Sequence, residues 1–192
     1  MKKTAVLIYN QFCNFEISVA LEMMAMAERE FVIISKTLEP IKSEEGIKVI
    51  ADKTIEEIDI DDFDSLLLPG AMDISQVVED EVILDFIKSF NDKKMIIGAI
   101  SIAPVLLLKL GILKGKRFMA GVNAEDLLEE GFTEEDISKV VGWDDSISNP
   151  IKEGYIQEDN IITSVAYNFR EWAMAFGRAI GIEVYPKSFG LK

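Results

Sequence analysis

Continuously apolar runs alternate with helical stripes along this chain. Residues 5–9, 31–35, 65–68 and 95–100 are short runs in which nearly every position is apolar. Strands covered on both faces read this way, because neither face needs polar residues. Between the runs lie helical patterns. Residues 15–28 carry Phe15, Val19, Met23 and Ala27 at four-residue spacing, one stripe of a helix. Residues 81–90 are amphipathic, and residues 102–110 are apolar almost all round, which predicts a buried helix. Residues 168–180 form the last helix, closed by Gly181. Two hairpins are expected. One spans residues 41–50 and turns at Glu44-Glu45-Gly46; the other pairs 155–157 with 161–164 around Glu158-Asp159-Asn160. A short strand is expected at 117–120, and short helices at 125–130 and 134–139. Repeated strand–helix units predict an α/β sandwich with a largely parallel sheet, and residues 1–192 suit one domain. Sites in such sheets form at the carboxyl ends of strands. The loops after Tyr9, Leu68 and Ile100 are therefore the ones to inspect.

Composition narrows the function. Twenty Lys and Arg against 34 Asp and Glu leave a net charge of −14, with no basic patch, so nucleic acid is not an expected partner. No run approaches the ~20 apolar residues of a membrane span. Met1-Lys2-Lys3 followed by an apolar run faintly suggests a secretory leader. The run stops at Tyr9-Asn10-Gln11 and reads better as a first strand. One cysteine allows no internal disulfide, and a cytoplasmic location is the expectation. The chain has no histidine, which removes imidazole acid–base chemistry and most zinc sites; no metal or cofactor is expected.

Chemistry concentrates at Ser101. Ala99-Ile100-Ser101-Ile102-Ala103 joins the most apolar strand to the most apolar helix. Small residues two before and two after Ser101 permit a sharp elbow that would lift its side chain above the sheet. The amides of Ile102 and Ala103 would then face it, an arrangement suited to an anion. A plainer reading has Ser101 capping the helix.

The stretch Ile97-Gly98-Ala99-Ile100-Ser101-Ile102-Ala103-Pro104, with Gly111-Ile112-Leu113-Lys114-Gly115 after it, resembles the elbow of the ThiJ/PfpI family, within the class I glutamine amidotransferase-like superfamily. Asp64-Ser65-Leu66-Leu67-Leu68-Pro69-Gly70-Ala71 is similar to the family's D-x-L-x-L-P-G-G. Phe12 to Ile17 with Leu21-Glu22 resembles its first loop and helix, and Asn160 to Ser164 its late G-N-x-I-T-S segment. The resemblance implies a flavodoxin-like three-layer sandwich, commonly dimeric. It implies a reactive elbow cysteine where this chain has Ser101, an acidic partner matched by Glu16, and an oxyanion hole from the amides of Ala71 and Ile102 beside Gly70. Where relatives place histidine, this chain has Ile102 and Gly121.

A serine hydroxyl needs an adjacent base, and the usual one is absent. The family's glyoxalase, deglycase, isocyanide hydratase or peptidase chemistry therefore does not transfer by default. The expected function is binding of an unknown small molecule by a non-catalytic or vestigial member, stress-related or regulatory. The alternative is a serine-dependent hydrolase or amidase using Ser101 with Glu16. Cys13, in the first loop, is either a relocated thiol in the pocket or a packed loop residue. The run Asp59, Asp61, Asp62, Asp64 lacks the glycine and distal glutamate of a calcium loop and reads as a solvated connection. Trp143-Asp144-Asp145 could line a pocket, the plainer reading being a core residue plus a cap. Tyr167, Phe169 and Trp172 read as packing residues. A homodimer is expected, burying Met24 or Met26 of the first helix beyond its core stripe.

Overall fold

The computed structural model describes residues 2–123, 126–128, 132–134 and 151–192. Strand β1 (Lys3–Leu7) leads into helix α1 (Asn14–Met26), then β2 (Phe31–Ser35). A small antiparallel excursion, β3 (Ile41–Lys42) with β4 (Lys48–Val49), precedes β5 (Lys53–Thr54). Next come β6 (Phe63–Leu68), α2 (Ser75–Val78), α3 (Glu81–Asp92), β7 (Ile96–Ile100) and α4 (Pro104–Lys109). The hairpin β8 (Ile156–Glu158) and β9 (Ile161–Ser164) and helix α5 (Phe169–Ala179) complete the described elements. The seven-stranded sheet runs β5-β2-β1-β6-β7-β9-β8, parallel except for the β8–β9 pair. It is a flavodoxin-like three-layer sandwich. Ala5, Val6 and Leu7, then Leu66, Leu67 and Leu68, are fully buried at consecutive positions, so both faces of the central strands are covered. α1 packs beside α5, and Gly98 in β7 lies under Phe176 and Trp172 of α5. The chain leaves β1 toward β2 and later returns to β6 on the other side of β1. That reversal brings the loops after β1 and β6 together at the carboxyl edge, where ligands of open α/β sheets bind.

Several expectations change. β1 lies two residues earlier than the apolar run suggests. Of the stripe assigned to α1, Val19 and Met23 are buried, but Phe15 is 42% exposed and the buried face is completed by Glu16, Ile17, Ala20 and Met24. Phe15 instead packs edge-on against Phe169, ring centroids 5.8 Å apart. Met24 thus belongs to the protomer's own core, and Met26 alone of the pair remains exposed. Residues 117–120 do not form a strand. The Met119 amide is used elsewhere, donating to Thr163 Oγ1 (3.0 Å). The buried helix begins at Pro104 rather than 102, because the Ser101 turn occupies the preceding residues. Only a 3-10 turn, Asp126–Leu128, is described within 125–130; most of the helix expected at 134–139, and Trp143 to Asp145, lie outside the described residues. The acidic run is locally engaged: Asp64 pairs with buried Arg29, Asp61 with Lys93, and Asp59 accepts from the Asp61 amide. No helix among the described residues is long and apolar enough to cross a membrane.

Candidate functional site

Ser101 follows β7 with φ = 60°, a left-handed conformation uncommon for a residue bearing a Cβ. The strain is held from two sides. Its N–H donates to the Ser164 carbonyl (2.9 Å), and its carbonyl accepts from the Gly121 N–H (2.6 Å). The backbone leaves the sheet ladder here and turns into α4, with Pro104 in the first turn where no N–H is required. Ser101 is consequently half-buried at a strand-to-helix elbow. Gly121 packs directly against it: a Cβ at 121 would stand 3.1 Å from Ser101 Oγ. A bulky side chain there would collide with the hydroxyl.

Glu16 enters from α1. It is 1% exposed. Its Oε2 accepts the Gly70 N–H at 2.7 Å. The position a Cβ on Gly70 would take lies 2.7 Å from Glu16 Oε2 and 2.9 Å from Ser101 Oγ. Glycine at 70 is what allows the carboxylate and the hydroxyl to meet over the loop. Burial pushes the Glu16 carboxyl up to about 7. Donation from the Gly70 amide and the Ser101 hydroxyl opposes that rise, the charge of Glu44 adds to it, and the Cys13 thiol opposes it. The Gly70 N–H is thus engaged by Glu16.

The loops after β1 and β6 are zipped together. Cys13 N–H donates to the Gly70 carbonyl (2.8 Å) and Met72 N–H to the Gln11 carbonyl (3.1 Å), around a Phe12–Ala71 antiparallel bridge. In a bridge of this kind the central residues turn their own N–H groups away from each other. The Ala71 amide therefore points away from Phe12. The Tyr9 hydroxyl, buried beside Glu16, donates to the Pro69 carbonyl and pins the same loop.

Cys13 is buried and donates its thiol to Glu44. Burial, the bond to Glu44 and the nearby Glu16 and Glu45 carboxylates all raise its pKa, so the group is a thiol at neutral pH. Glu44 and Glu45 sit at the tip of the β3–β4 hairpin. Glu45 accepts the N–H groups of Phe15 (2.9 Å) and Asn14 (3.3 Å), supplying the cap that the α1 N-cap residue, Cys13, does not. The structure thus brings together Ser101, Glu16, Gly70, Ala71 and Cys13. Tyr9, Glu44 and Gly121 join them without having been singled out for that role. Gly121 was legible only as the position where histidine is missing, and a hairpin glutamate carries no local signal of a long-range contact.

A family model described as the DJ-1/PfpI family matches residues 2–179. The Bacillus subtilis (strain 168) protein "Putative cysteine protease YraA" is 32% identical over 145 residues, 73% of this chain and 84% of its own length. "Protein/nucleic acid deglycase 2" of Escherichia coli (strain K12) is 30% identical over 121 residues, 62% of this chain and 70% of its own. The crystal structure of the DJ-1 superfamily protein Atu0886 from Agrobacterium tumefaciens superposes with a TM-score of 0.79 at 17% identity, covering 99% of this chain and 95% of that one. At that identity the likeness speaks for the fold.

Proposed function

Because the chain belongs to the DJ-1/PfpI family, we propose that it binds a small polar molecule at the Ser101 elbow without using Ser101 as a nucleophile. One observation carries the reading: the Ser101 hydroxyl faces a buried carboxyl that accepts the Gly70 amide and has the Cys13 thiol and the Tyr9 hydroxyl as neighbours, in a chain with no histidine. A carboxyl near pKa 7 is far from matching a serine hydroxyl, and among the described residues no side chain beside it takes the place of imidazole. The cysteine chemistry in the name of YraA requires a thiolate, and the chain's single thiol, Cys13, is buried and kept protonated. Ser101 stands in this reading where the family carries its elbow cysteine. The amides of Ala71 and Ile102 receive an oxygen of the ligand, while Ser101 and Glu16 read its donors. The ligand is uncharged or carries a single oxyanion, since Glu16 and Glu44 repel anything more acidic. Two copies pair through the outer face of α1, where Phe15 and Met26 are exposed eleven residues, about three turns, apart.

The second reading is a serine-dependent hydrolase or amidase. It is favoured by the same carboxyl, because a base poised near neutrality is what general-base catalysis uses. A fluorophosphonate probe separates the two. Incubation at pH 7.5 followed by peptide mass spectrometry is expected to leave Ser101 unlabelled; stoichiometric phosphonylation of Ser101, lost in Glu16→Gln, would establish the hydrolase instead.

A further inference from the structure

Helix α1 is capped from outside, and that frees one of its own side chains. Cys13 is its N-cap residue and makes no side-chain cap. The spacing Cys13-Asn14-Phe15-Glu16 puts Glu16 at the third helical position. A glutamate there ordinarily reaches back to the amide of its N-cap residue and closes the first turn. Here the Cys13 N–H goes to the Gly70 carbonyl (2.8 Å) instead. Glu16 turns inward, its Oε2 on the Gly70 N–H (2.7 Å) and beside the Ser101 hydroxyl. The amides left bare at the start of α1 are taken by Glu45, through Phe15 N–H (2.9 Å) and Asn14 N–H (3.3 Å). Burial acts to raise the Glu45 pKa. Donation from the Phe15 amide, the Ser43 hydroxyl, its own amide and the Asn14 amide outweighs that and holds the carboxyl below its ordinary range.

The hairpin holds Glu45 at this post. β3 and β4 have two residues each and pair only with one another. A ribbon so short is not stable alone, and this one is docked. Gln11 N–H donates to the Lys42 carbonyl (2.8 Å) and Glu44 N–H to the Phe12 carbonyl (2.9 Å). Inside the turn, buried Ser43 accepts the Ile47 N–H on its Oγ (3.1 Å). The first loop is therefore bonded to the hairpin as well as to the loop after β6.

We propose that Glu45 is a positioning residue of the Ser101 pocket: it takes the first amides of α1, so that Glu16 is left for Gly70 and Ser101. Bare amides at a helix start attract a carboxylate, by hydrogen bonding and through the helix dipole. Without Glu45, the carboxylate built into that turn is Glu16. It then leaves Gly70, and the pocket loses the group that faces Ser101. The inference rests on reading Glu16 as the pocket's carboxyl.

Three variants of the intact chain separate reach from charge. Glu45→Gln keeps an acceptor for the Phe15 amide and loses the charge. Glu45→Asp keeps the charge and is one methylene shorter. Glu45→Ala loses both. Two readouts follow Glu16: its titration midpoint, from 13C carboxyl shifts assigned with Glu16→Gln, and hydrogen exchange of the Gly70 amide. The other groups around Glu16, namely the Tyr9 hydroxyl, the Cys13 thiol and the Glu44 carboxylate, are common to all three variants. Glu45→Asp and Glu45→Ala are expected to bring the midpoint from about 7 to 4.5 or below. They are also expected to speed Gly70 exchange about tenfold or more, as an amide that has lost its partner does. Glu45→Gln is expected to stay near wild type in both. A cap with a merely structural role would lower the melting temperature of Glu45→Asp and Glu45→Ala and move neither readout; that result would overturn the proposal. So would a midpoint in Glu45→Gln as low as in Glu45→Ala, which would make charge the cause. If Glu45→Ala does not fold, an unchanged midpoint in Glu45→Asp alone overturns it. Labelling of Ser101 by the fluorophosphonate would refute the binding reading and leave these midpoints untouched, so the two failures are distinguishable.

Discussion

A glutamate in the unfolded chain releases its proton near pH 4.5, whereas Glu16 in the fold holds it up to about 7, chiefly through burial. Between those values the folded state binds more protons than the unfolded one. Stability contributed by this group is therefore full below about pH 4.5 and falls as pH rises toward 7. The loss at pH 8 is about 3 kcal/mol, at 1.36 kcal/mol for each unit of displacement. Glu16→Gln keeps an acceptor for the Gly70 amide and removes the titration. Its melting temperature relative to wild type is expected to rise between pH 5 and pH 8, as followed by thermal unfolding at both values. A constant difference would mean that the carboxyl ionises freely in the folded state. Ser101 and Glu16 were legible in the sequence because an elbow needs small neighbours and because the motifs around them are local. Gly70 was legible as part of Pro69-Gly70-Ala71, but not its role of leaving room for two side chains that arrive from residues 31 and 54 positions away in the chain.

Elements meet here through glycine as much as through large side chains. In β7, Gly98 lies under α5 so closely that a Cβ would come within 2.6 Å of Phe176 Cδ2 and 3.0 Å of Trp172 Cζ2. Trp172 is fixed in turn, its Nε1 donating to the Ile162 carbonyl at 3.1 Å. Neither ring can yield without moving the helix. Gly98→Ala is expected to cost about 1–3 kcal/mol, the usual penalty for overpacking, read as a lower urea midpoint with unchanged slope. The strands and most helices could be read from the chain because burial on both faces leaves an unbroken apolar run. The phase of α1 could not. Phe15 is apolar yet sits outward against Phe169, while Glu16 is charged yet sits inward over Gly70, so both residues contradict the simple pattern for reasons that lie in other elements. The helix start was read to within one residue, but not what caps it, since the cap comes from Glu45, thirty residues beyond Phe15. Residues 117–120 have strand composition, but the Met119 amide serves Thr163, and the next residue along, Gly121, gives its amide to the Ser101 turn.

On the scale of the whole molecule, a net charge of −14 makes copies repel, and pairing requires an apolar surface to offset it. The outward face of α1 offers Phe15 and Met26 for this, now that Met24 is accounted for in the core. Light scattering at micromolar concentration is expected to give twice 21.5 kDa, with association tightening as salt screens the repulsion. Met26→Asp is expected to return the mass to that of one chain; a monomer in the wild type would refute the pairing. The two ends of the sheet bear on association of another kind. At one end stands β5, two residues long and beginning with a lysine; at the other stands β8, three residues ending in glutamate. Long bare edges recruit passing chains into growing cross-strand stacks, and short charged ones do not. Among the described residues, fibre growth from the folded protein therefore finds no long bare edge at either margin of this sheet, and the hydrophobic strands in between become available to it only after an outer strand has been peeled away.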